Sequence, residues 1–218
     1  MVRRGTALAD VGTDHAYLPI WLARQGRIRS AVASDIRPGP LDRAQRDIER
    51  YGAGGVVTAR LSDGLDNIRP NEADDIVIAG MGGLMIAEIV GRAAWLEDPE
   101  KRLILQPMTR AEDLRRSLAE QGFAVVHEQA VREENHLYTV MLCRWDPECR
   151  AFGELFPYIG SLTAETPEGC AYLRHELKRI QNREKGLQME GDAAQAEKLA
   201  HIYRMIAAML PEHAKLEE

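Results

Sequence analysis

The sequence is poor in cysteine, which argues against two classes of cross-linked protein. Only three cysteines occur in 218 residues, Cys143, Cys149 and Cys170, and none forms a close ligand pair with another. An odd number without paired spacing predicts neither a disulfide framework nor a metal site. A reducing cytoplasm fits this composition, and we therefore expect a cytoplasmic protein.

Long uninterrupted apolar runs are also missing. The best candidate for a membrane span, Ile76 to Val90, is punctuated by glycines and contains Glu88, so we predict no membrane segment. The N-terminus is basic, but an acidic residue follows too early for a signal peptide. With 45% hydrophobic residues, the chain fits a soluble protein of one domain plus an appendage, or two small domains.

Basic residues are outnumbered by acidic ones, and the formal net charge of -6 argues weakly against a nucleic-acid partner. Two local clusters depart from this average. One lies between Arg174 and Lys185. The other consists of seven early arginines: Arg24, Arg27, Arg29, Arg37, Arg43, Arg46 and Arg50. An ordinary solvated helix surface is the alternative explanation for both clusters.

Short apolar segments alternate with helical segments over the first half of the chain. We predict strands at Thr6 to Gly12, Ser30 to Ile36, Val56 to Gly64, Asp74 to Gly83 and Lys101 to Met108. Such alternation indicates right-handed crossovers and a parallel sheet. Several of the runs are almost wholly apolar, as expected for strands covered on both faces.

The pattern changes after Gly122. The segment from Phe123 to Trp145 reads as two strands joined by a polar turn, so one late strand should run antiparallel. We therefore predict an α/β fold with a Rossmann-like class I methyltransferase sheet, parallel with one antiparallel strand. This arrangement fits better than a dinucleotide-binding dehydrogenase.

The C-terminal part is predicted to be a helical hairpin with a coiled-coil-like seam, interrupted by Met189 to Ala193. Its apolar stripes are Leu173, Leu177, Ile180 and Leu187, then Leu199, Ile202, Ile206 and Met209. We predict a methyltransferase domain over 1–146, a linker over 147–168 and the hairpin over 169–218.

Two carboxylates and a glycine follow the first predicted strand. Asp10, Gly12 and Asp14 lie where this strand passes into a helix, with His15 and Tyr17 close behind. A dehydrogenase would need G-x-G-x-x-G here, but the sequence reads G-T-D-H-A-Y. Acids at the carboxyl end of a strand suit a cationic ligand such as S-adenosylmethionine. Alternatively, Asp14 caps the helix and Asp10 is a turn residue.

Acids also follow the second and third predicted strands. Asp35 is placed to accept hydrogen bonds from both ribose hydroxyls, although NAD and S-adenosylmethionine share this ribose. Asp63 could accept from an adenine amino group, and the Gly64 amide could serve a ring nitrogen. An Asp-Gly turn also forms without any ligand.

Glycines dominate the end of the fourth predicted strand. Gly80, Gly82 and Gly83 would leave open space in which a planar base could approach the cofactor. The alternative is a tight strand-to-helix turn with close packing. Pro107 ends the fifth strand on the same side, with Gln106 as a candidate polar contact.

The strings ADVGTDHAYLPIWL, ASDI, DIVIAGMGG and LILQPMTRAEDLRRSL resemble the TrmK family of bacterial tRNA (adenine(22)-N1)-methyltransferases. The resemblance covers nearly the whole chain and implies S-adenosylmethionine as methyl donor and tRNA as substrate. Together with the positions of residues at the predicted strand ends, the resemblance assigns these cofactor-binding residues: Asp10, Gly12, Asp14, His15, Tyr17, Asp35, Ile36, Asp63, Gly64, Gly80, Met81 and Gly82.

Substrate-binding candidates are Gly83, Gln106, Pro107, Arg174, Lys178, Arg179 and Lys185. No catalytic residue is assigned, and no obligate protein partner is evident. The chain departs from the family pattern in two ways. First, the chain begins almost at the first strand, whereas family members have a short helix before that strand. Second, the fifth strand reads PMT in this chain, whereas the family pattern has an asparagine after the proline.

Two other functions remain open. One is a methyltransferase of a small molecule or protein, with the hairpin as a dimerisation element. The other is a cofactor-binding module without catalysis.

Overall fold

We describe a computed structural model of the chain over residues 1–134, 136–148 and 153–211. Cys149 and the end of the predicted hairpin after residue 211 lie outside these ranges. The chain forms two compact units. Unit 1 comprises Met1–His127 and Met141–Arg150, and unit 2 comprises Glu128–Val140 and Ala151–Glu218.

A seven-stranded sheet organises the fold. Its strands are β1 (Thr6–Val11), β2 (Ile28–Asp35), β3 (Val57–Leu61), β4 (Asp75–Gly82), β5 (Arg102–Thr109), β6 (Phe123–Glu133) and β7 (His136–Trp145). Their order is β3-β2-β1-β4-β5-β7-β6. The pairs from β3 to β5 are parallel, whereas β7 pairs antiparallel with β5. The predicted fold class is confirmed.

Helices of unit 1 follow the parallel strands, as the sequence pattern predicts. They are α1 (Tyr17–Arg24), α2 (Pro38–Arg50), α3 (Gly83–Arg92) and α4 (Ala111–Glu120), with short 3-10 helices at Pro70–Glu72 and Ala94–Leu96. Strand residues such as Ile76, Ile78 and Leu105 are fully buried in one core with helix residues Ile86 and Leu114. This burial on both faces explains why the strand sequences are nearly continuous apolar runs.

Unit 2 contains α5 (Phe156–Ile159), α6 (Pro167–Glu190) and α7 (Ala193–Met209). The predicted stripe residues Leu173, Leu177, Ile180, Leu199, Ile202 and Ile206 are buried in one cluster, and Leu187 packs against it. Met209 differs from the prediction, since it is exposed and Leu210 is buried instead. The side chains of Thr166 and Asp192 cap α6 and α7 by accepting backbone hydrogen bonds.

The two compact units include segments on both sides of the predicted linker, and the predicted domain boundaries stay a prediction. Ile159 and Leu162, from the segment predicted as linker, belong to the core of unit 2, and so does Ala130 of β6. The Glu128 carboxylate accepts hydrogen bonds from the Thr139 hydroxyl at 2.6 Å and from the Ser161 amide at 3.1 Å. The outer part of the β6–β7 hairpin therefore forms one unit with the C-terminal helices.

No helix in the described ranges is long and apolar enough to span a membrane.

Candidate functional site

A cavity of about 470 Å³ lies at the carboxyl ends of the central strands of unit 1. Seven predicted cofactor residues line it: Gly12, Asp35, Ile36, Asp63, Gly64, Gly80 and Met81. They come from four segments far apart in sequence. The topology brings them together because the carboxyl ends of parallel strands meet at one edge. We call this cavity the strand-end cavity.

Gly12 lies where β1 leaves the sheet. Its φ of 77° is in the left-handed region, and a Cβ there would collide with the Met81 side chain. Its amide donates to the Ser34 carbonyl at 2.8 Å, which ties the turn to β2. The left-handed backbone conformation therefore favours glycine, and the missing side chain leaves room for the end of Met81.

Asp35 ends β2 and is 6% exposed. One carboxylate oxygen accepts the Arg37 amide at 2.8 Å, and the Arg37 Nε lies 3.6 Å from the same oxygen. The described residues form no hydrogen bond with the other oxygen. Asp35 therefore presents an acceptor to the strand-end cavity and is held by its own turn.

Asp63 follows β3 and forms an ion pair with Arg92 of α3. The Arg92 Nη2 lies 3.0 Å from the Asp63 carboxylate and also approaches Asp66 at 3.7 Å. These acids raise the pKa of the Arg92 guanidinium further above its already high ordinary value. Next to Asp63, Gly64 has a φ of 56°, and a Cβ there would lie 2.9 Å from Ile89.

Neither acid of the first turn lines the strand-end cavity. Asp10 is buried, and this burial raises its pKa to about 6, although the Thr13 hydroxyl partly offsets the shift by donating a hydrogen bond. Asp14 is exposed and pairs with Arg43 of α2, which lowers its pKa. The first helical cap is Ala16 without a side-chain bond, so Asp14 does not cap α1.

His15 and Tyr17 also lie outside the lining of the strand-end cavity. The His15 Nδ1 is 2.7 Å from the Asp47 carboxylate, and its ring stacks on Tyr17 with centroids 4.9 Å apart. Tyr17 is 58% exposed and lines a second cavity together with Trp21 and Tyr51. Their roles toward a cofactor stay predictions.

The glycines after β4 occupy different surroundings. Gly80 has a φ of 76° with open space at its Cβ position. A Cβ on Gly82 would lie 3.5 Å from the Thr109 hydroxyl, an ordinary contact. On Gly83 it would collide with the Arg110 backbone and lie 2.9 Å from the Thr109 carbonyl. Close packing against this backbone explains why position 83 is a glycine, and the role of Gly83 toward the substrate stays a prediction.

The fifth strand supplies two of the predicted substrate residues. The Gln106 side-chain oxygen accepts the Gly80 amide at 2.8 Å, so Gln106 supports the cavity wall. Pro107 pairs in register with Met81. The strand continues to Thr109, two residues beyond the proline that was predicted to end it.

The basic residues predicted to contact substrate lie on α6 in unit 2. Lys178 and Lys185 are exposed, and Arg174 is partly buried. Arg179 is exposed as a residue, but its guanidinium lies 3.0 Å from the Glu176 carboxylate. The two lysines are therefore the freer cations of this set.

Four residues of α3 that the sequence did not predict as site residues line the strand-end cavity: Met85, Glu88, Ile89 and Arg92. Met85, Glu88 and Arg92 follow the glycine-rich turn at a spacing of three and four, which places them on one helix face, and Ile89 lies beside Glu88 on that face. That spacing was visible in the sequence. No cluster of three potential metal-ligating side chains occurs within the described ranges.

Comparison with known proteins places this geometry in a family. The family described as Methyltransferase domain matches residues 1–141. A tRNA (adenine(22)-N(1))-methyltransferase of Bacillus subtilis is 36% identical over 141 residues, which are 65% of this chain. The chain spans 59% of the length of that relative.

Solved structures extend the similarity to nearly the whole chain. Sp1610 of Streptococcus pneumoniae, a putative tRNA (m1A22) methyltransferase, is 30% identical with a TM-score of 0.84, covering 97% of this chain and 95% of that one. A structure of Sp1610 in complex with S-adenosyl-L-methionine has a TM-score of 0.77 and 29% identity, covering 93% and 94%. The chain therefore belongs to the methyltransferase-domain family and, within it, to the TrmK family that its motifs resemble.

Proposed function

We propose that this protein transfers a methyl group from S-adenosylmethionine to N1 of adenine 22 in tRNA. The observation that carries the proposal is the strand-end cavity, where Asp35 and Asp63 follow neighbouring strands beside a glycine-lined opening. The names of the relatives support the substrate, since the B. subtilis relative and Sp1610 are both described as acting on adenine 22 of tRNA.

The residues of the cavity fit an adenosine-containing methyl donor. Gly80 leaves open space on β4 that a side chain would fill, and at Gly12 the end of the Met81 side chain packs against the bare backbone. The unbonded oxygen of Asp35 suits ribose hydroxyls, because an ionised carboxylate is an acceptor only. Asp63 could accept a hydrogen bond from the adenine amino group while its carboxylate keeps the ion pair with Arg92. When bound, S-adenosylmethionine supplies an electrophilic methyl group on a sulfonium.

The chain's contribution to the reaction is mainly positioning. The adenine N1 lone pair is already nucleophilic, so no strong base is needed before attack. Alignment of the base with the methyl group would supply most of the acceleration. N1 lies on the pairing edge of the base, so adenine 22 has to be unpaired or flipped out. The product base is cationic, and carboxylate or carbonyl dipoles at the strand ends can stabilise that charge.

Unit 2 offers a surface for the tRNA backbone. Lys178 and Lys185 are exposed on α6, away from its buried stripe. Cations in such positions contact phosphates, which orients the nucleic acid but reads no sequence. The competing use of the hairpin is dimerisation, and the cytoplasmic location expected from the sequence likewise stays a prediction.

The proposal is tested by incubating the purified chain with labelled S-adenosylmethionine and unmodified bulk tRNA, then analysing the digested nucleosides. We expect label in 1-methyladenosine. A matched tRNA with guanine in place of adenine 22 is the control and should take up no label. Label in another nucleoside, in the control tRNA, or only in added protein or small-molecule acceptors would contradict the proposal.

A further inference from the structure

A second cavity of unit 1, of about 460 Å³, is not used by the proposed reaction. Its lining includes Tyr17, Trp21 and Arg24 of α1, and Tyr51 directly after α2. We call these four residues and Arg50 the aromatic–arginine groove. Tyr17 is 58% exposed, Trp21 54% and Tyr51 38%. Three large rings are thus presented to solvent close together.

The exposed rings follow from the register of α1. Tyr17, Trp21 and Arg24 are spaced by four and three, so they share one helix face. Pro19, Ile20 and Leu22 are buried. Most of the aliphatic residues of the helix are therefore in the core, whereas its two aromatic residues and Arg24 face outward. Its eight residues extend over roughly 12 Å, a length comparable to a short nucleotide segment.

The charge of the groove is positive although the chain as a whole is acidic. The Arg24 guanidinium lies 5.9 Å from the Tyr51 ring centroid, and that of Arg50 lies 5.5 Å from it. Among the described residues that line this cavity, none is an aspartate or glutamate. Within the described ranges neither arginine forms an ion pair. Both cations are therefore available to an anionic ligand.

Aromatic faces flanked by unpaired arginines match the chemistry of single-stranded nucleic acid. Bases stack on aromatic rings or on guanidinium planes, while arginine binds the phosphates between them. A second copy of this chain is a poorer occupant. Symmetric pairing of the groove would bring Arg24 and Arg50 of both copies together without an acid to neutralise them.

We propose that the aromatic–arginine groove binds unpaired nucleotides of the substrate tRNA. Bases stack on Trp21 and Tyr51, and phosphates lie against Arg24 and Arg50. This inference rests on the proposed function for the identity of the RNA. The groove begins at Tyr17, only five residues after Gly12 of the strand-end cavity. A nucleotide held there would anchor the strand that presents the target base.

The test compares Trp21→Ala, Trp21→Phe and Arg24→Ala with the wild type. We expect Trp21→Ala to raise both the Kd and the KM for tRNA by roughly tenfold, the scale of one base stack. Trp21→Phe should restore most of this loss. The kcat at saturating tRNA and the affinity for S-adenosylmethionine should not change. Val126→Ala, which trims another exposed apolar side chain of unit 1, is the matched control.

Arg24→Ala should weaken tRNA binding and lower its salt dependence by a slope of roughly one. A fluorescence titration adds a readout that a purely structural role would not move. A single-stranded RNA oligonucleotide should quench the emission of the wild type more than that of Trp21→Phe. Inorganic polyphosphate, which has charge but no bases, should not produce this difference.

The outcomes separate this inference from the proposed function. If the wild type forms 1-methyladenosine in tRNA but Trp21→Ala keeps its Kd and KM, the groove proposal is overturned and the function stands. If no methylation occurs but RNA still quenches Trp21, the function fails and the groove stands. Concentration-dependent dimerisation that Trp21→Ala abolishes, with tRNA affinity unaltered, would assign the groove to a second copy instead.

Discussion

The strand-end cavity and the aromatic–arginine groove have nearly equal volumes, about 470 and 460 Å³, but their linings differ in charge. Among the described residues, the first is lined by three acids and two arginines, Asp35, Asp63, Glu88, Arg37 and Arg92, whereas the second is lined by one arginine and no acid. Volume therefore says little about the ligand. The lining separates a site suited to hydroxyls and a cationic sulfonium from a site suited to bases and phosphates.

The two sites also differ in how they are built. The strand-end cavity is made by the termini of hydrogen-bonded strands, and its two strand-end acids are held in place, Asp35 by the 2.8 Å bond from the Arg37 amide and Asp63 by its ion pair with Arg92. The groove is a helix surface whose side chains are exposed. Substitutions in the strand-end cavity should therefore affect cofactor binding and catalysis, whereas substitutions in the groove should affect only tRNA binding.

The largest expected effect comes from removing the ribose acceptor. Asp35→Ala should lose two charge-assisted hydrogen bonds, each contributing about 1.5–3 kcal/mol, so S-adenosylmethionine binding should fall about 10²- to 10⁴-fold. Isothermal titration calorimetry measures this loss. Asp42→Ala removes an exposed acid from α2 and is the control. Equal affinity in wild type and Asp35→Ala would refute the ribose assignment.

A neighbouring pair of glycines tests whether the turn after β4 serves the substrate or packing. Gly82→Val should fold normally, because its Cβ meets only an ordinary contact, but it should reduce turnover at least tenfold with cofactor affinity within a few-fold. Gly83→Val should instead lower the Tm, since its Cβ collides with backbone, at a cost of about 1–3 kcal/mol. If folded Gly82→Val turned over normally, both glycines would serve packing and neither would serve the approach of the target base.

Asp10 makes the stability of unit 1 depend on pH. Its folded pKa of about 6 exceeds the ordinary value of 3.8, so burial favours the protonated acid. The wild type should therefore lose stability as the pH rises from about 4 to 6, by up to about 3 kcal/mol. Urea unfolding at several pH values should show this loss relative to Asp10→Asn.

Asp14→Asn is the control for this pH dependence. Arg43 lowers the pKa of Asp14, so that group contributes stability that is lost as the pH falls. A pH profile of Asp10→Asn that matches the wild type would contradict the assignment of the slope to Asp10.

The smallest expected effect concerns the hairpin. Replacing Lys178, Arg179 and Lys185 together by Ala should weaken tRNA binding and reduce the salt slope by roughly one for each phosphate that is no longer neutralised. We expect less than three, because Arg179 is already paired with Glu176. Filter binding at several salt concentrations measures both quantities, and cofactor affinity should stay unchanged. An unaltered slope would favour a dimerisation hairpin.

The sequence predicts the sheet well, because buried parallel strands require apolar runs such as Ile76 to Ile78. The sequence also predicts that Asp35 and Asp63 lie at one edge of the sheet, because the carboxyl ends of parallel strands share an edge. Both residues line the same cavity in the structure. The acids of the first turn show the limit of this reasoning. Asp10 is buried, and Asp14 reaches Arg43 across to α2. Sequence position alone does not say which way a turn directs a side chain.

Tyr17 illustrates a second limit. Ala16 adopts a left-handed backbone with a φ of 53°, which no residue preference predicts for alanine. This turn starts α1, whose Tyr17 then lines the groove. Arg92 illustrates a third limit, since its helix face becomes part of the cavity only when β3 and α3 are assembled. Contacts between distant segments decide such cases.

The division of β6 and β7 between the two units has a consequence for the order of synthesis. Ala130 belongs to the core that is completed by Ile206 of α7, 76 residues later. At the usual speed of translation, roughly 4–15 s separate the appearance of the two. During that time Ala130 has been synthesised, but the helix residues that bury it have not. The Glu128 carboxylate likewise lacks a partner until Ser161, whose amide donates to it, has been synthesised. Chaperone access to the nascent chain should therefore matter most in this interval.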